Sequence, residues 1–161
     1  MANYQSQGSL ILKGNFKAKR IAVIYTNWNQ DVVGMMREEC AKTLLANGVL
    51  RKNIHEVVVP GSFEIPNMTR FLMNQKKFDA IITLGAIIKG ETMHDVVLAH
   101  AVTDALCALS AEAKAVPIIL GVLTTNNHKQ ALARANGKSG NKGKDCAEAA
   151  LQMLQLQVKK S

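Results

Sequence analysis

A histidine, an arginine, a single tryptophan and two glycine-rich stretches hold most of the chemistry that this chain can offer. Trp28 is the only tryptophan, and it sits in the stretch TNWN (26–29), where an apolar run gives way to a helical pattern. A ring at such a turn can stack on a planar heterocycle, or it can plug the core beneath it. Gly90, Glu91 and Thr92 precede a helix expected to begin near His94. Glycine lets backbone approach closely, and successive N–H groups before a helix can cradle a phosphate. The spacing matches neither a Walker loop nor a dinucleotide fingerprint, so an ordinary turn fits these residues equally well. His94 stands at the mouth of the same loop, where an imidazole can exchange protons near neutral pH or simply be solvated. His55 and His100 have less suggestive settings, and His128 reads as a surface or helix-start residue. Glu64 follows PGSF and can accept hydrogen bonds from hydroxyls or ring N–H groups, or merely complement a helix start. Arg134, Lys138 and Lys142 flank the glycine-rich stretch 137–143. Together they could neutralise a dianionic phosphate, with the arginine binding in bidentate fashion; separately, each reads as a surface charge.

These residues need a frame, and the periodicity predicts one. Short apolar runs at 21–25, 54–59, 80–84 and 117–122 read as buried parallel strands. Helical patterns lie between and after them. In 31–47, Val33, Met36, Cys40 and Leu44 recur at helical spacing, and Asn47-Gly48 is a stop signal. Met68, Phe71 and Leu72 define a shorter face in 65–76, with Pro66 suited to a first turn. Val97, Leu98, Ala101, Val102, Ala105, Leu106 and Leu109 stripe a helix over 94–114. A short helix is expected at 130–135 and an amphipathic one at 144–158. Strand–helix alternation of this kind implies a parallel sheet with helices on both faces, built by right-handed crossovers. The expected fold is therefore a three-layer α/β/α sandwich around a mostly parallel four-stranded sheet, of flavodoxin-like type. Ligands bind such sheets beyond the carboxyl ends of the strands, which points to the four loops following them. On this reading Gly85 ends the third strand. The run Leu10, Ile11, Leu12 could add a strand to a neighbouring subunit.

Composition removes several alternatives. A chain of 161 residues fits one domain, divided here into an N-terminal arm, 1–19, and a body, 20–161. With 48% hydrophobic and 20% charged residues, the composition is that of an ordinary soluble globular protein. No apolar run approaches the ~18 residues that span a bilayer, and no secretory signal stands at the start, so the expected compartment is the cytoplasm. Cys40, Cys107 and Cys146 are odd in number, far apart and set in helical patterns, and are expected to be core thiols rather than a disulfide or zinc framework. A net charge of +8 can mean nucleic acid, acidic lipid or an anionic small substrate, but the charge is spread along the chain and aromatics make up only 4%, which argues against a nucleic-acid surface and makes most lysines read as a solvated surface.

Four segments make the reading specific. VPGSFEIP (59–66), DAIITLGAIIKGETMH (79–94), GVLTT (121–125) and QALARANGKSGNKG (130–143) resemble the lumazine synthase family in order and spacing, and the likeness runs from about Arg20 to the end of the chain. The resemblance implies a transferase of riboflavin biosynthesis. Members join 5-amino-6-ribitylaminouracil to 3,4-dihydroxy-2-butanone 4-phosphate without metal or organic cofactor. Matched residue by residue, Trp28 takes the place of an aromatic that stacks on the pyrimidine. Ser62, Phe63 and Glu64 match the segment holding the ribityl chain. Ile87, Ile88 and Lys89 are expected to line the ring pocket, and Gly90, Glu91 and Thr92 to bind phosphate. His94 matches the proton-transfer residue, Arg134 the phosphate-binding arginine, Lys142 a lysine near the site and Asp145 a usually acidic position. Leu120 stands where the family commonly has a phenylalanine that packs at the site from a neighbouring subunit. Asp95-Val96-Val97 replaces the usual aromatic–acid–aromatic run after the histidine. The resemblance also implies a homo-oligomer built from pentamers, which in the family stay free, pair as decamers or assemble as sixty-subunit shells, with the compact 137–143 turn leaning towards a shell, and riboflavin synthase as a partner. The competing reading is a non-catalytic flavin- or lumazine-binding member of the same fold.

Overall fold

The computed structural model describes residues 12–113 and 116–158. Four strands, β1 (Ile21–Thr26), β2 (Ile54–Val59), β3 (Ala80–Ile88) and β4 (Ile118–Thr125), form one sheet in the order β2-β1-β3-β4. Every pairing is parallel: Ile21 faces Ile54 on one side and Ala80 on the other, and Ile81 faces Ile118. Five helices cover it: α1 (Gln30–Ala46), α2 (Ile65–Asn74), α3 (His94–Glu112), α4 (His128–Ala135) and α5 (Lys142–Val158).

The alternation of side chains along the strands builds two cores. On one face Ile21 and Val23 of β1 and Ile82 and Leu84 of β3 pack against Val33, Met36 and Leu44 of α1, Ala131 of α4 and Leu151 of α5. On the other, Ala22, Ile24 and Ile81 meet Ile65 and Leu72 of α2 and Val102, Leu106 and Leu109 of α3. Helix α5 crosses α1 at close range. A Cβ on Gly143 would fall inside the Met36 backbone, so only glycine allows this crossing. Phe16 is buried in the first core, and Lys13 donates its backbone N–H to Gln155 Oε1 at 2.9 Å, so the stretch before β1 packs on the end of α5. Of the apolar run at 10–12, Leu12 rests against the same core, while Leu10 and Ile11 lie outside the described residues.

Several boundaries differ from the sequence expectation. Strand β3 does not end at Gly85 but runs on to Ile88, because Gly85 through Ile88 pair in register with Val122 through Thr125. Ile87 and Ile88 are therefore strand residues, and the loop begins at Lys89. Helix α4 starts earlier than expected, at His128, because the Asn127 side chain accepts the Gln130 N–H and caps it. Helix α5 starts at Lys142, with Asn141 Oδ1 accepting the N–H of Gly143 and Lys144. Cys40 and Cys146 are buried as expected, whereas Cys107 is exposed: on α3 it falls outside the Val102–Leu106–Leu109 stripe that faces the sheet. Lys114, the expected end of that helix, lies outside the described residues.

Candidate functional site

The chain leaves β1 for α1 and β2 in one direction across the sheet, and later elements build outward through β3 and β4 in the other. The topological switch point therefore lies between β1 and β3, and in sheets of this kind ligands take the crevice outside the carboxyl ends of the strands at that point. Trp28 stands on the β1 side of that crevice. Its N–H donates to the Pro60 carbonyl at 3.2 Å, and its own carbonyl accepts the Thr26 hydroxyl at 3.1 Å. Asn27 N–H donates to Val59 at 2.7 Å, so the loop continues the β1–β2 ladder past the strand ends. The indole is nevertheless 67% exposed. It is no plug: the backbone is clamped while the ring face is offered to solvent.

The turn after β2 supplies the neighbouring wall. Ser62 is buried, and its hydroxyl lies where a Cβ on Gly85 of β3 would sit at 2.9 Å. Phe63 points outward and is 68% exposed. Glu64 Oε2 accepts the Gly61 N–H at 2.8 Å, which fixes the carboxylate and leaves its second oxygen with acceptor capacity. The helix-start alternative for Glu64 is thus met by one oxygen of the two. Ile87 is buried at the end of β3, Ile88 half-buried, and Lys89 N–H donates to the Thr125 carbonyl at 2.8 Å. Gly90, Glu91 and Thr92 are exposed, and Thr92 Oγ1 accepts the His94 N–H at 3.5 Å. His94 is the first residue of α3 and is exposed. Helix α3, which His94 opens, packs beside the Ser62–Glu64 turn.

A second group forms elsewhere. Leu120, Arg134, Lys142, Asp145 and Cys146 line an open cavity of about 440 Å³ between β4 and α5. Arg134 Nη1 donates to the Ser139 carbonyl at 2.5 Å, and its Nη2 lies 3.8 Å from Asp145 Oδ2. The turn wraps the guanidinium closely. Gly140 has φ +83°, and a Cβ there would sit 3.1 Å from Nη1. Lys138 is exposed on the same turn. Burial pushes the Cys146 thiol up to about 11, with Lys142 opposing and Asp145 adding to the shift, so it stays protonated beside the cavity. Leu120 lies low on β4, five residues before the strand's end at Thr125, or about 16 Å at strand rise. Phe63 and Glu64 follow β2, three strand spacings or about 14 Å across the sheet. One chain thus presents two candidate half-sites, with Leu120 far from Phe63 and Glu64, while Arg134 also borders the carboxyl end of β4 beside Thr124 and Thr125.

Sequence reasoning passed over Thr26, Asn29 and Gly61, which build the Trp28 platform. The available signal was an asparagine directly after the tryptophan at a strand-to-helix turn, since asparagine tolerates the left-handed conformation it adopts here, φ 56° and ψ 46°. His128 at the start of α4 contacts Asp31 of α1 through Nε2 and Oδ2, so its surface position carries a partner that periodicity does not reveal. Among the described residues, no three His, Cys, Asp or Glu side chains group as a metal site, and no helix is long and apolar enough to cross a membrane.

The profile of the 6,7-dimethyl-8-ribityllumazine synthase family matches residues 18–158. The chain belongs to this family. It is 40% identical over 138 residues to the 6,7-dimethyl-8-ribityllumazine synthase of Pediococcus pentosaceus, covering 86% of this chain and 88% of the relative. It is 35% identical over 145 residues to the enzyme of that name from Phocaeicola vulgatus, covering 90% and 86%. The matched region of this lumazine synthase family member includes all four strands and both half-sites.

Proposed function

We propose that the chain condenses 5-amino-6-ribitylaminouracil with 3,4-dihydroxy-2-butanone 4-phosphate, forming 6,7-dimethyl-8-ribityllumazine with release of phosphate and water. The observation that carries this reading is the pairing of an exposed, backbone-clamped ring with a separate Arg134–Lys142 cavity. One suits a flat heterocycle and the other a phosphate, as a two-substrate reaction requires. The attacking amine belongs to the substrate, so no enzyme nucleophile is needed, and the protonated Cys146 is no competitor. Trp28 stacks on the pyrimidine, while Ser62, Phe63 and Glu64 bind the ribityl chain, Glu64 through its free oxygen. Ile87, Ile88 and Lys89 line the ring pocket. The N–H groups of Gly90, Glu91 and Thr92, with Arg134 and Lys142, hold the phosphate as it departs. His94 moves the proton between the condensing groups. Much of the rate comes from holding two substrates together.

The separation of the half-sites supports a homo-oligomer in which Leu120, Arg134 and Lys142 of one copy complete the Trp28 side of the next. Phe63, Phe71, Met93, Val97, Leu120 and Leu156 are large apolar side chains left exposed on the chain, which neighbouring copies in such an assembly could cover. The proposed assembly is built from pentamers, with a sixty-subunit shell favoured by the compact 137–143 turn, riboflavin synthase as a partner, and the cytoplasm as its compartment. The deciding experiment mixes purified protein with both substrates and follows product absorbance and fluorescence. Turnover is the expected result. Saturable riboflavin or lumazine binding without turnover would instead make the chain a non-catalytic binder.

A further inference from the structure

The last pair between β1 and β3 is Tyr25 with Leu84, yet β3 continues for four more residues. Beyond that pair β1 stays with β2 but no longer pairs with β3, and the β3 backbone on that side has no strand to meet. Asn29 takes the vacant place. Its Nδ2 donates to the Ala86 carbonyl at 2.9 Å, extending the ladder with a side chain.

Two features mark this as more than an ordinary helix start. Asn29 is the N-cap residue of α1, where an asparagine side chain normally accepts an N–H of the first turn, yet this one makes no such bond. It reaches sideways to β3 instead. It also holds the left-handed backbone conformation, which side-chain-bearing residues adopt rarely. The residue just before it is Trp28, whose N–H is tied to Pro60 at the end of β2. The tryptophan is therefore strung between β2 on one side and, through Asn29, β3 on the other. Its ring rests edge-on only where Gly61 leaves room for it, with indole carbons 3.4 and 3.6 Å from where a Cβ on Gly61 would stand, and the residue is otherwise two-thirds exposed.

We infer that Asn29 is a positioning residue: its amide bond to Ala86 sets the direction of the Trp28 ring over the β1/β3 crevice, and so sets affinity for the flat heterocyclic substrate. The inference rests on the reading of Trp28 as the ring platform.

Two variants of the full chain test it. Asn29→Gly keeps the left-handed backbone at no steric cost and removes the amide. Asn29→Asp keeps the shape but turns an acceptor towards the Ala86 carbonyl. Riboflavin serves as the ring probe, read by quenching of Trp28 fluorescence, alongside KM and kcat for both substrates and the thermal midpoint. In both variants the riboflavin Kd and the KM for the ribityl pyrimidine should rise roughly three- to tenfold, the scale of one lost hydrogen bond. The KM for the four-carbon phosphate should not move, and the Asn29→Gly midpoint should stay within a few degrees of the parent. Normal quenching in the parent with undiminished riboflavin affinity in both variants would overturn the positioning role and leave the platform standing. Absence of quenching in the parent would overturn the platform and the inference with it. Weakening of both substrates together, with a fall of more than about 10 °C in the midpoint, would make Asn29 a structural residue and also overturn the inference.

Discussion

Charge and ring contact can be separated residue by residue, because Trp28 follows β1 and Arg134 lies on α4. Arg134 is oriented by the Ser139 carbonyl and Asp145. Arg134→Ala should raise the KM for the phosphorylated substrate by the equivalent of about 1.5–3 kcal/mol, the loss of a charge-assisted bond to an anion. The KM for the ribityl pyrimidine should stay near its parent value, and equal weakening of both would remove the arginine from the phosphate site. His94 is the exposed first residue of α3 and contributes little to packing. His94→Ala should lower kcat by about 10²-fold if its proton transfer limits the rate, with the assembly mass unchanged. A kcat equal to the parent's under saturating substrates would end its acid–base role. Trp28→Phe retains an aromatic face and should keep most ring affinity, whereas Trp28→Ala should lose roughly 1–3 kcal/mol, by analogy with base–aromatic stacking. Riboflavin titrations of the two variants, followed through flavin fluorescence, make the comparison.

At the scale of elements, stability is concentrated where α5 meets α1 and the sheet. Gly143→Ala forces a methyl against the Met36 backbone and should cost about 1–3 kcal/mol, seen as a lower denaturant midpoint. The same layer buries Cys40 and Cys146, and burial raises both thiols above their ordinary value of 9.0, Cys146 to about 11. The folded protein thus keeps protons that the unfolded chain begins to release near pH 9. Stability from this source is present below that pH and is lost as pH rises from 9 towards 11. Denaturant midpoints should fall between pH 8 and pH 10.5, and less steeply in Cys146→Ala. An equal slope in that variant would assign the alkaline loss to other groups. These elements were largely legible in the sequence. Four apolar runs separated by helical stripes dictate the order and the parallel sheet, because buried strands have no polar face to show. The boundaries were less legible. Gly85 reads as a strand end, but its missing Cβ makes room for Ser62 within a strand that pairs onward to Ile88. Cys107 reads as core because α3 is apolar on more faces than the one that packs on the sheet. The candidate site residues were visible as types. Their division into two half-sites was not, since chain order carries no record that Leu120 lies low on an edge strand while Phe63 crowns the opposite edge.

At the scale of the whole molecule, that division predicts how activity behaves in mixtures. Trp28, Ser62 and Glu64 lie at the carboxyl ends of β1 and β2, whereas Leu120, Arg134 and Lys142 line a cavity flanking β4. A ring of identical subunits joined head to tail sets different surfaces of neighbouring copies against each other, so each interface can unite one half-site of each kind. A Trp28→Ala chain then carries a sound phosphate half-site, and an Arg134→Ala chain carries a sound ring platform. Under the proposed ring assembly, each variant by itself has every site damaged. Co-expressed in equal amounts, the two should assemble at random, and about a quarter of the interfaces should join a sound platform to a sound arginine. The mixed protein should therefore regain roughly a quarter of parental kcat/KM, well above either variant, while light scattering reports the same mass for all three. A further quarter of interfaces would carry both lesions, so the double variant expressed alone fixes the lower baseline. If each chain completed its own site, co-expression would give only the average of the two single variants, and the shared-site assembly would have to be abandoned even with the mass unchanged.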